Sequence, residues 1–287
     1  MGAIFRHELR NYFHSLTAYV FGAFLLAVVG LGSVLYNLQA AVSNFEFVLS
    51  FASIIFVVIV PILTMRTMAE ERRQRTDQLL YSLPITTTQV VLGKYLALLV
   101  VYLIPLAVIS LYPLLFSQFG DVYPPTSYGS LFAFFLMGAA LLAVGMFLSS
   151  LTDNQGFAAG IGVAAILLNY YSVSLAEYTS STAMGSLIAL YVIALLLGVV
   201  IHNLTRNENL AYGVTLVLIA ALSVAYFVNS SAFEGLLPDI MTKLSLFRQF
   251  NSFVNGAFDL TAIVYYVSVM GFFLFLSVQS MEKRRYN

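Results

Sequence analysis

The sequence predicts an all-α, polytopic membrane protein with about eight transmembrane helices in a single transmembrane domain, residues 1–287. Hydrophobic residues make up 60% of the chain and charged residues only 9%, whereas soluble domains carry about 25% charged residues. A helix needs roughly 20 apolar residues to cross a bilayer. Eight stretches meet this requirement: 17–38, 47–66, 94–116, 129–151, 156–175, 185–203, 209–228 and 260–280.

The composition also excludes several kinds of site. The formal net charge is zero, so we expect no nucleic-acid partner. Cysteine is absent, which excludes disulfides and thiolate metal sites. His7-Glu8 resembles the start of a zinc-protease helix, but position 11 is Asn, so the second histidine ligand is missing. We therefore predict no catalytic residue, no cofactor-binding residue and no metal site in this chain.

Residues 2–16 are too charged to span a membrane, and their spacing predicts an amphipathic helix. The apolar face has Phe5, Leu9, Tyr12, Phe13 and Leu16, and the polar face has Arg6, His7, Arg10, Asn11 and His14. Such a helix lies in the headgroup region and contacts membrane lipid. A cleaved signal peptide is the alternative, which the long apolar run that follows and the lack of a clear small-residue cleavage site disfavour.

The positions of lysine and arginine predict the orientation, because cytoplasmic segments are enriched in both. With eight spans and the N-terminus inside, eleven of the thirteen basic residues are cytoplasmic: Arg6, Arg10, Arg66, Arg72, Arg73, Arg75, Lys94, Arg206, Lys283, Arg284 and Arg285. Only Lys243 and Arg248 lie on the other side. We therefore expect a multi-pass protein of the cell (plasma) membrane with both termini in the cytoplasm.

The polar segment, residues 66–94, lies between two long apolar runs and has five basic and three acidic residues. Pro61 predicts a kink near the inner end of the second span. Beyond the membrane the helix is expected to continue through 67–73. Thr76 is expected to begin a short helix that ends before Pro84, because the residue preceding a proline disfavours helical geometry.

The polar segment is expected to resume a helix at Thr86, where Gln89 occupies the capping-box position. A solvated loop that only sets the topology would explain the arginines of the segment. It would not explain the acids Glu70 and Glu71, or the leucines Leu79, Leu80 and Leu83. We therefore favour a docking surface within residues 67–93.

Two later regions complete the predicted topology. The seven residues 202–208 separate the sixth and seventh spans and predict a tight hairpin of two helices. Residues 229–259 form the long connection on the outer side, with large apolar residues at roughly helical spacing. Pro238 is expected to start a helix there. We predict one or two amphipathic helices in the outer interface, in preference to a solvated loop.

These motifs resemble the pattern of ABC-2-type transporter permeases. The resemblance rests on Glu70-Glu71-Arg72, Thr76, Leu79-Leu80, Leu83-Pro84 and Gly93-Lys94, and on the amphipathic N-terminus. Phe258-Asp259-Leu260 and Glu282-Lys283-Arg284-Arg285 resemble the gliding-motility (Gld)-like branch. Two features depart from the pattern: Arg75 stands where many members have glycine, and the hairpin at 185–228 adds two spans to the usual six.

The resemblance implies an exporter. This chain would be its permease subunit and would pair with a second permease as a homo- or heterodimer. A separate cytoplasmic ABC ATPase subunit would bind ATP and Mg²⁺. The short helix after the second span would act as the coupling helix seated on that ATPase. The resemblance assigns ATPase coupling to Glu70, Glu71, Thr76, Leu79, Leu80 and Pro84.

Further candidates lie in the fifth span. Gly156 and Gly160 have the spacing that allows two helices to approach closely, either at a dimer interface or within one subunit. Asn169 and Tyr170, near its outer end, would face a substrate path or anchor the helix at the interface. No charged residue lies deep in any predicted span, which disfavours a proton- or ion-coupled carrier.

Two other classes of function stay open from the residues alone. An intramembrane enzyme would need a catalytic constellation within the bilayer, and none is visible, since the histidines and acids are peripheral. A membrane scaffold would show no nucleotide dependence. No Walker motif occurs, because Tyr95 follows Gly93-Lys94 where serine or threonine is required.

Overall fold

The computed structural model describes residues 1–75, 85–118, 120, 122–205 and 208–286. Over these residues the protein is helical and has no strand, so the all-α prediction is confirmed. The helices are α1 (Gly2–His14), α2 (Leu16–Ser33), α3 (Phe45–Ser53), α4 (Phe56–Thr64), α5 (Arg66–Gln74), α6 (Thr87–Ile109), α7 (Tyr112–Phe116), α8 (Pro124–Ser149), α9 (Gln155–Tyr178), α10 (Ala183–Thr205), α11 (Glu208–Val228), α12 (Leu236–Lys243), α13 (Leu246–Val254) and α14 (Leu260–Tyr286). A π-helical turn, Val34–Gln39, extends α2, and a 3₁₀ turn, Ser230–Phe233, precedes α12.

Among the described residues, fewer than eight helices are by themselves long and apolar enough to span a membrane. Within the described ranges, six helices are long and apolar enough to cross a membrane: Leu16–Gln39, Thr87–Phe116, Pro124–Ser149, Gln155–Tyr178, Ala211–Val228 and Leu260–Lys283. The bent pair Phe45–Ser53 and Phe56–Gln74 gives a seventh if it is one span, and Ala183–Val199 is a shorter apolar helix. Every predicted span therefore falls on a helix, and a count of eight stays a prediction.

The second predicted span bends between Ser53 and Phe56 and not at Pro61, where the sequence predicts a kink. The axes of Phe45–Ser53 and Phe56–Gln74 differ by 58°. At this break, the backbone N–H groups of Ile55 and Val57 donate hydrogen bonds to carbonyls three residues earlier, Ala52 O and Ile54 O. Pro61 lies further along, inside α4. Its ring packs against α9, where a Cβ atom on Gly162 would lie only 3.0 Å from the Pro61 Cβ.

The chain divides into two compact units, residues 1–170 with 246–287 (unit 1) and residues 171–245 (unit 2). In unit 1, α8 is the central helix and contacts α3, α4, α5, α6, α13 and α14. The Tyr102 hydroxyl of α6 donates a hydrogen bond to Phe134 O of α8 at 2.8 Å. The ring needs the space above Gly138, since a Cβ atom there would lie 2.5 Å from it. Small residues on α8 thus allow its neighbours to pack closely.

Unit 2 contains the predicted two-helix hairpin. Tyr191 of α10 shares a 2.8 Å hydrogen bond with Ser223 of α11, and Gly198 packs against Thr215. Residues further along α10 meet residues earlier in α11, so the two helices are antiparallel. At the end of unit 2, Gly235 N donates to Ser181 O at 2.8 Å. Gly235 has a φ of +69°, which glycine adopts without a steric penalty.

The predicted outer segment 229–259 forms two helices, α12 and α13, and α12 begins at Leu236, two residues before Pro238. The buried face of α13 has Leu246, Phe247, Phe250 and Phe253. This face packs into the core of unit 1, with Phe250 5.8 Å from Phe134 between ring centroids. Helix α13 is therefore part of the unit 1 core and does not lie only in an interface.

Candidate functional site

The two parts of the polar segment that flank residues 76–84 are α5 and the start of α6, and both lie at one end of unit 1. Helices α1, α5 and α14, the start of α6 and the end of α8 meet there. We call this region the polar end of unit 1. Helix α5 brings the chain out towards residues 76–84, and α6 carries it back. The polar end therefore determines where both ends of the predicted coupling helix are held.

Helix α5 is fixed by Ser149, a fully buried residue at the end of α8. The Ser149 hydroxyl donates to Met65 O at 3.0 Å and accepts from Met68 N and Ala69 N at 3.3 and 3.2 Å. The first N–H groups of a helix have no partner within the helix. A side chain from another helix thus supplies what a local N-cap would supply.

The last residue described in this part of the chain is Arg75, and it has an unusual backbone conformation. Arg75 has φ 56° and ψ 23°, the left-handed region, and caps the C-terminus of α5 through Arg75 N to Arg72 O at 3.1 Å. Glycine is favoured at such a cap because it has no Cβ atom. Arg75 therefore takes a backbone conformation that glycine would adopt without a steric penalty.

The start of α6 is held by two threonines. Thr86 Oγ1 accepts from Gln89 N at 3.3 Å, which confirms the predicted N-cap. Thr87 Oγ1 donates to Glu282 Oε1 of α14 at 2.8 Å. On the α5 side, Arg72 Nη2 donates to Ser280 Oγ of α14 at 3.4 Å. Helix α14 therefore contacts both helices that flank residues 76–84.

The most strongly charged contact of the polar end is a buried ion triad formed by Glu8, Glu71 and Lys94. Lys94 Nζ donates to Glu8 Oε1 at 2.7 Å and to Glu71 Oε1 at 2.6 Å. The Lys94 side chain is 1% exposed, against 12% for Glu8 and 24% for Glu71. Bonds of this length between opposite charges are among the stronger hydrogen bonds in proteins. The triad joins α1, α5 and α6.

Helix α1 makes two further contacts with the same helices. The Tyr12 hydroxyl shares a 3.2 Å hydrogen bond with Thr67 Oγ1 of α5. Burial raises the pKa of the Tyr12 hydroxyl above its usual range, so the group keeps its proton at physiological pH. At the other end of α1, the Ile4 side chain packs on Gly93 of α6. Arg6, His7, Arg10 and Asn11 are exposed, as predicted for the polar face.

A cleft of about 720 Å³ opens between α1 and α5. Its walls carry polar groups from both helices, including His7, Asn11, Glu70 and Gln74, and the triad lies at its base. Arg66 reaches across to Thr17 at the start of α2, where Arg66 Nη1 donates to Thr17 Oγ1 at 3.3 Å. Since three of the lining residues are acidic and two are permanently basic, the cleft is close to neutral.

The six predicted coupling residues are placed differently. Glu71 belongs to the triad. Glu70 is partly exposed in the wall of the cleft, 4.0 Å from Arg66 Nε, and accepts a 3.2 Å hydrogen bond from Gln74 Nε2. The remaining four, Thr76, Leu79, Leu80 and Pro84, lie outside the described residues. Their role stays a prediction.

The predicted residues of the fifth span lie on different faces of α9. Gly156 and Gly160 are exposed, and a Cβ atom on Gly160 would meet nothing within 4 Å among the described atoms. Asn169 Oδ1 accepts from Leu246 N at 3.0 Å, and the Tyr170 ring packs edge-on against Phe247 at 5.0 Å. Both residues thus position α13, and their place on a substrate path stays a prediction.

Glu8 and the pairing of Lys94 are the main features that sequence reasoning missed. Glu8 lies one turn from both Phe5 and Tyr12, on the otherwise apolar face of α1. Lys94 lies at the edge of an apolar run. An acid and a base that both break an apolar face would have indicated a buried pair, because buried charges need a partner.

Comparison with known protein families gives a match over just over half of the chain. The family model described as "ABC-2 family transporter protein" matches residues 30–175, just over half of the chain. The match includes Glu71 and Lys94 of the triad, whereas Glu8 precedes it. No curated protein matches the chain. The chain therefore belongs to the ABC-2 family of transporter proteins and is a multi-pass membrane component of an ABC transporter.

Proposed function

We propose that this permease subunit couples ATP hydrolysis by a separate cytoplasmic ATPase to the export of a substrate across the plasma membrane. The observation that carries the proposal is the polar end of unit 1, where five helices hold the two ends of the polar segment. A docking helix transmits force only if its ends are rigidly attached. Ser149, Thr86 and the ion triad provide that attachment.

The docking surface in this proposal consists of residues 76–84 together with Glu70. Glu70 is the more exposed acid of the pair, with its side chain 38% exposed against 24% for Glu71, so it is the better placed of the two to meet a basic group of the ATPase. Glu71 is not part of this surface, and it contributes through its ion pair with Lys94. ATP and Mg²⁺ are bound by the partner ATPase, and this chain supplies no cofactor site of its own.

The charge distribution supports the proposed orientation. Arg6 and Arg10 lie on the outer face of α1, where they would meet the anionic headgroups of the inner leaflet. Helix α14 ends in the basic run that begins at Lys283, which the positive-inside rule assigns to the cytoplasm. Both termini are then cytoplasmic, and α1 lies in the membrane interface.

Two finer assignments belong to the same proposal. A second permease, identical or different, would pack against the exposed Gly156 and Gly160 face of α9. The C-terminal residues Phe258-Asp259-Leu260 and Glu282-Lys283 support the gliding-motility-type branch of the family. Asn169 and Tyr170 would reach the substrate path through the α13 contact that they make.

The test is a double substitution in the polar segment, Leu79→Asp with Leu80→Asp. The variant should insert and fold but should no longer co-purify with the ATPase, because two carboxylates would be buried against the partner without a counter-charge. Leu244→Asp, an exposed leucine in unit 2, is the control and should retain the ATPase. If the double variant retains full ATPase binding and nucleotide hydrolysis, the docking assignment is wrong.

A further inference from the structure

Three segments of unit 1 that are distant in sequence meet at one ammonium group. Glu8 and Lys94 are 86 residues apart, and Glu71 and Lys94 are 23 apart. Glu71 precedes residues 76–84 and Lys94 follows them, while Glu8 belongs to the N-terminal helix. The triad therefore closes the base of the polar segment and attaches α1 to that base.

We propose that α1, α5 and the first turns of α6 form one rigid coupling unit, in which Glu8, Lys94 and Glu71 are positioning residues that carry movement of the docked segment to α2. This inference rests on the proposed function, because it requires an ATPase that moves the segment. It adds the N-terminal helix to the coupling apparatus and assigns a role to each charge.

The triad is suited to this role because none of its contacts can be given up singly. Lys94 is buried almost completely, so an α6 that moved away from α1 or α5 would leave a carboxylate or the ammonium without its counter-charge. Tyr12 with Thr67 and Ile4 with Gly93 add an uncharged contact on each side. Relative movement within the unit is thus unfavourable.

Within the unit, α1 is joined to the first candidate span, α2, through one residue. Helix α1 ends at His14 and α2 begins at Leu16, with only Ser15 between them in an extended conformation, φ −91° and ψ 158°. Ser15 is itself bonded to α1, through Ser15 N to Asn11 O and Ser15 Oγ to Tyr12 O. A tilt or shift of α1 therefore reaches the first turn of α2 with little slack.

A neutral triad separates this role from simple stability. The variant Glu8→Gln, Glu71→Gln, Lys94→Met removes all three charges and keeps similar volumes, and such replacements of buried ion pairs are often tolerated. It should fold and bind the ATPase. Its ATP hydrolysis in the assembled complex should fall by about fivefold or more, the scale of a typical coupling energy. The control Arg10→Gln, on the exposed face of α1, should hydrolyse ATP at the normal rate.

A disulfide across the same contact gives the second arm. The chain has no cysteine, and a Cβ atom on Gly93 would lie 3.3 Å from Ile4 Cβ, close to the spacing found in disulfides. A complex that contains the Ile4→Cys, Gly93→Cys variant, with no other change, should hydrolyse ATP at the same rate whether the cysteine pair is oxidised or reduced. When the same two cysteines are added to the neutral triad variant, oxidation should restore ATP hydrolysis by the complex. A reductant should remove this recovery.

Two results would overturn the inference. One is an unchanged rate of ATP hydrolysis in the neutral triad variant. The other is a loss of hydrolysis on oxidation of the Ile4–Gly93 pair in the otherwise unchanged chain, reversed by a reductant, which would show that α1 must move relative to α6. If the unchanged chain itself fails to bind an ATPase, the proposed function fails first. The disulfide arm in the unchanged chain does not depend on whether the neutral variant folds.

Discussion

Lys94 shows how a membrane protein accommodates a charge at the edge of an apolar helix. The side chain does not extend towards water, as exposed lysines near helix ends do. It turns inwards and meets two carboxylates that arrive from α1 and α5. The sequence could indicate that Lys94 needs a buried partner, but hydropathy does not show which acids approach it. Which acid approaches it depends on the packing of helices 86 residues apart.

Removing the lysine alone should be strongly destabilising. Lys94→Met leaves Glu8 and Glu71 facing each other without a counter-charge, and breaking a buried ion pair in this way costs about 3–5 kcal/mol. The measurement is thermal or denaturant unfolding of the purified chain in detergent.

The matched control for this prediction is Lys243→Met. Lys243 also pairs with an acid at a short distance, 2.8 Å from Asp239, but its side chain is 68% exposed. An exposed pair on one helix contributes about 0.3–0.5 kcal/mol. Equal losses of stability in the two variants would contradict the view that burial gives the triad its importance.

At the scale of elements, the sequence indicated helices well and their interruptions poorly. Each predicted span lies on a helix, because a long apolar run leaves few alternatives in a bilayer. The 58° bend at residues 54–55 has no such signal, since no proline or glycine lies there. Both halves of the bent pair pack against α8.

Helix α5 gives a second example, since it depends on a residue from another helix. Ser149→Ala should leave Met68 N and Ala69 N without their buried acceptor, and losing a cap of this kind costs about 1–2 kcal/mol. We expect faster amide exchange in residues 66–75 and unchanged exchange in α10. Ser268→Ala removes a hydroxyl that bonds only within its own helix and is the control. Unchanged exchange in α5 would show that its first turn is held in another way.

At the scale of the whole molecule, hydropathy and charge predicted an all-α membrane protein, and the family match confirms the transporter class. The division into two units was not predicted, because the helices of both units consist of the same kinds of apolar residue. The predicted docking acids illustrate the same limit. Glu70 and Glu71 are neighbours in sequence and chemically alike, yet one lies partly exposed beside Arg66 and the other joins the triad.

The assembly with a second permease can be tested at α9. Gly160→Leu should not destabilise the single chain, because a side chain there meets open space among the described atoms. It should weaken the association of two permease copies, measured by energy transfer between labelled chains in lipid, because a bulky residue prevents close helix contact. Gly271→Leu, at another exposed glycine with open space, is the control. Equal association in both variants would contradict an α9 interface.

The attachment of the polar end has a consequence for how such transporters diversify. Ser149, Thr86, Glu8 and Lys94, which secure the flanking helices, all lie outside residues 76–84. On the proposed function, the anchors are therefore separate from the stretch that would contact the ATPase. A chimera that carries the corresponding stretch of another permease tests whether the choice of ATPase resides there. A changed choice of ATPase with the same membrane helices would make partner choice a modular trait.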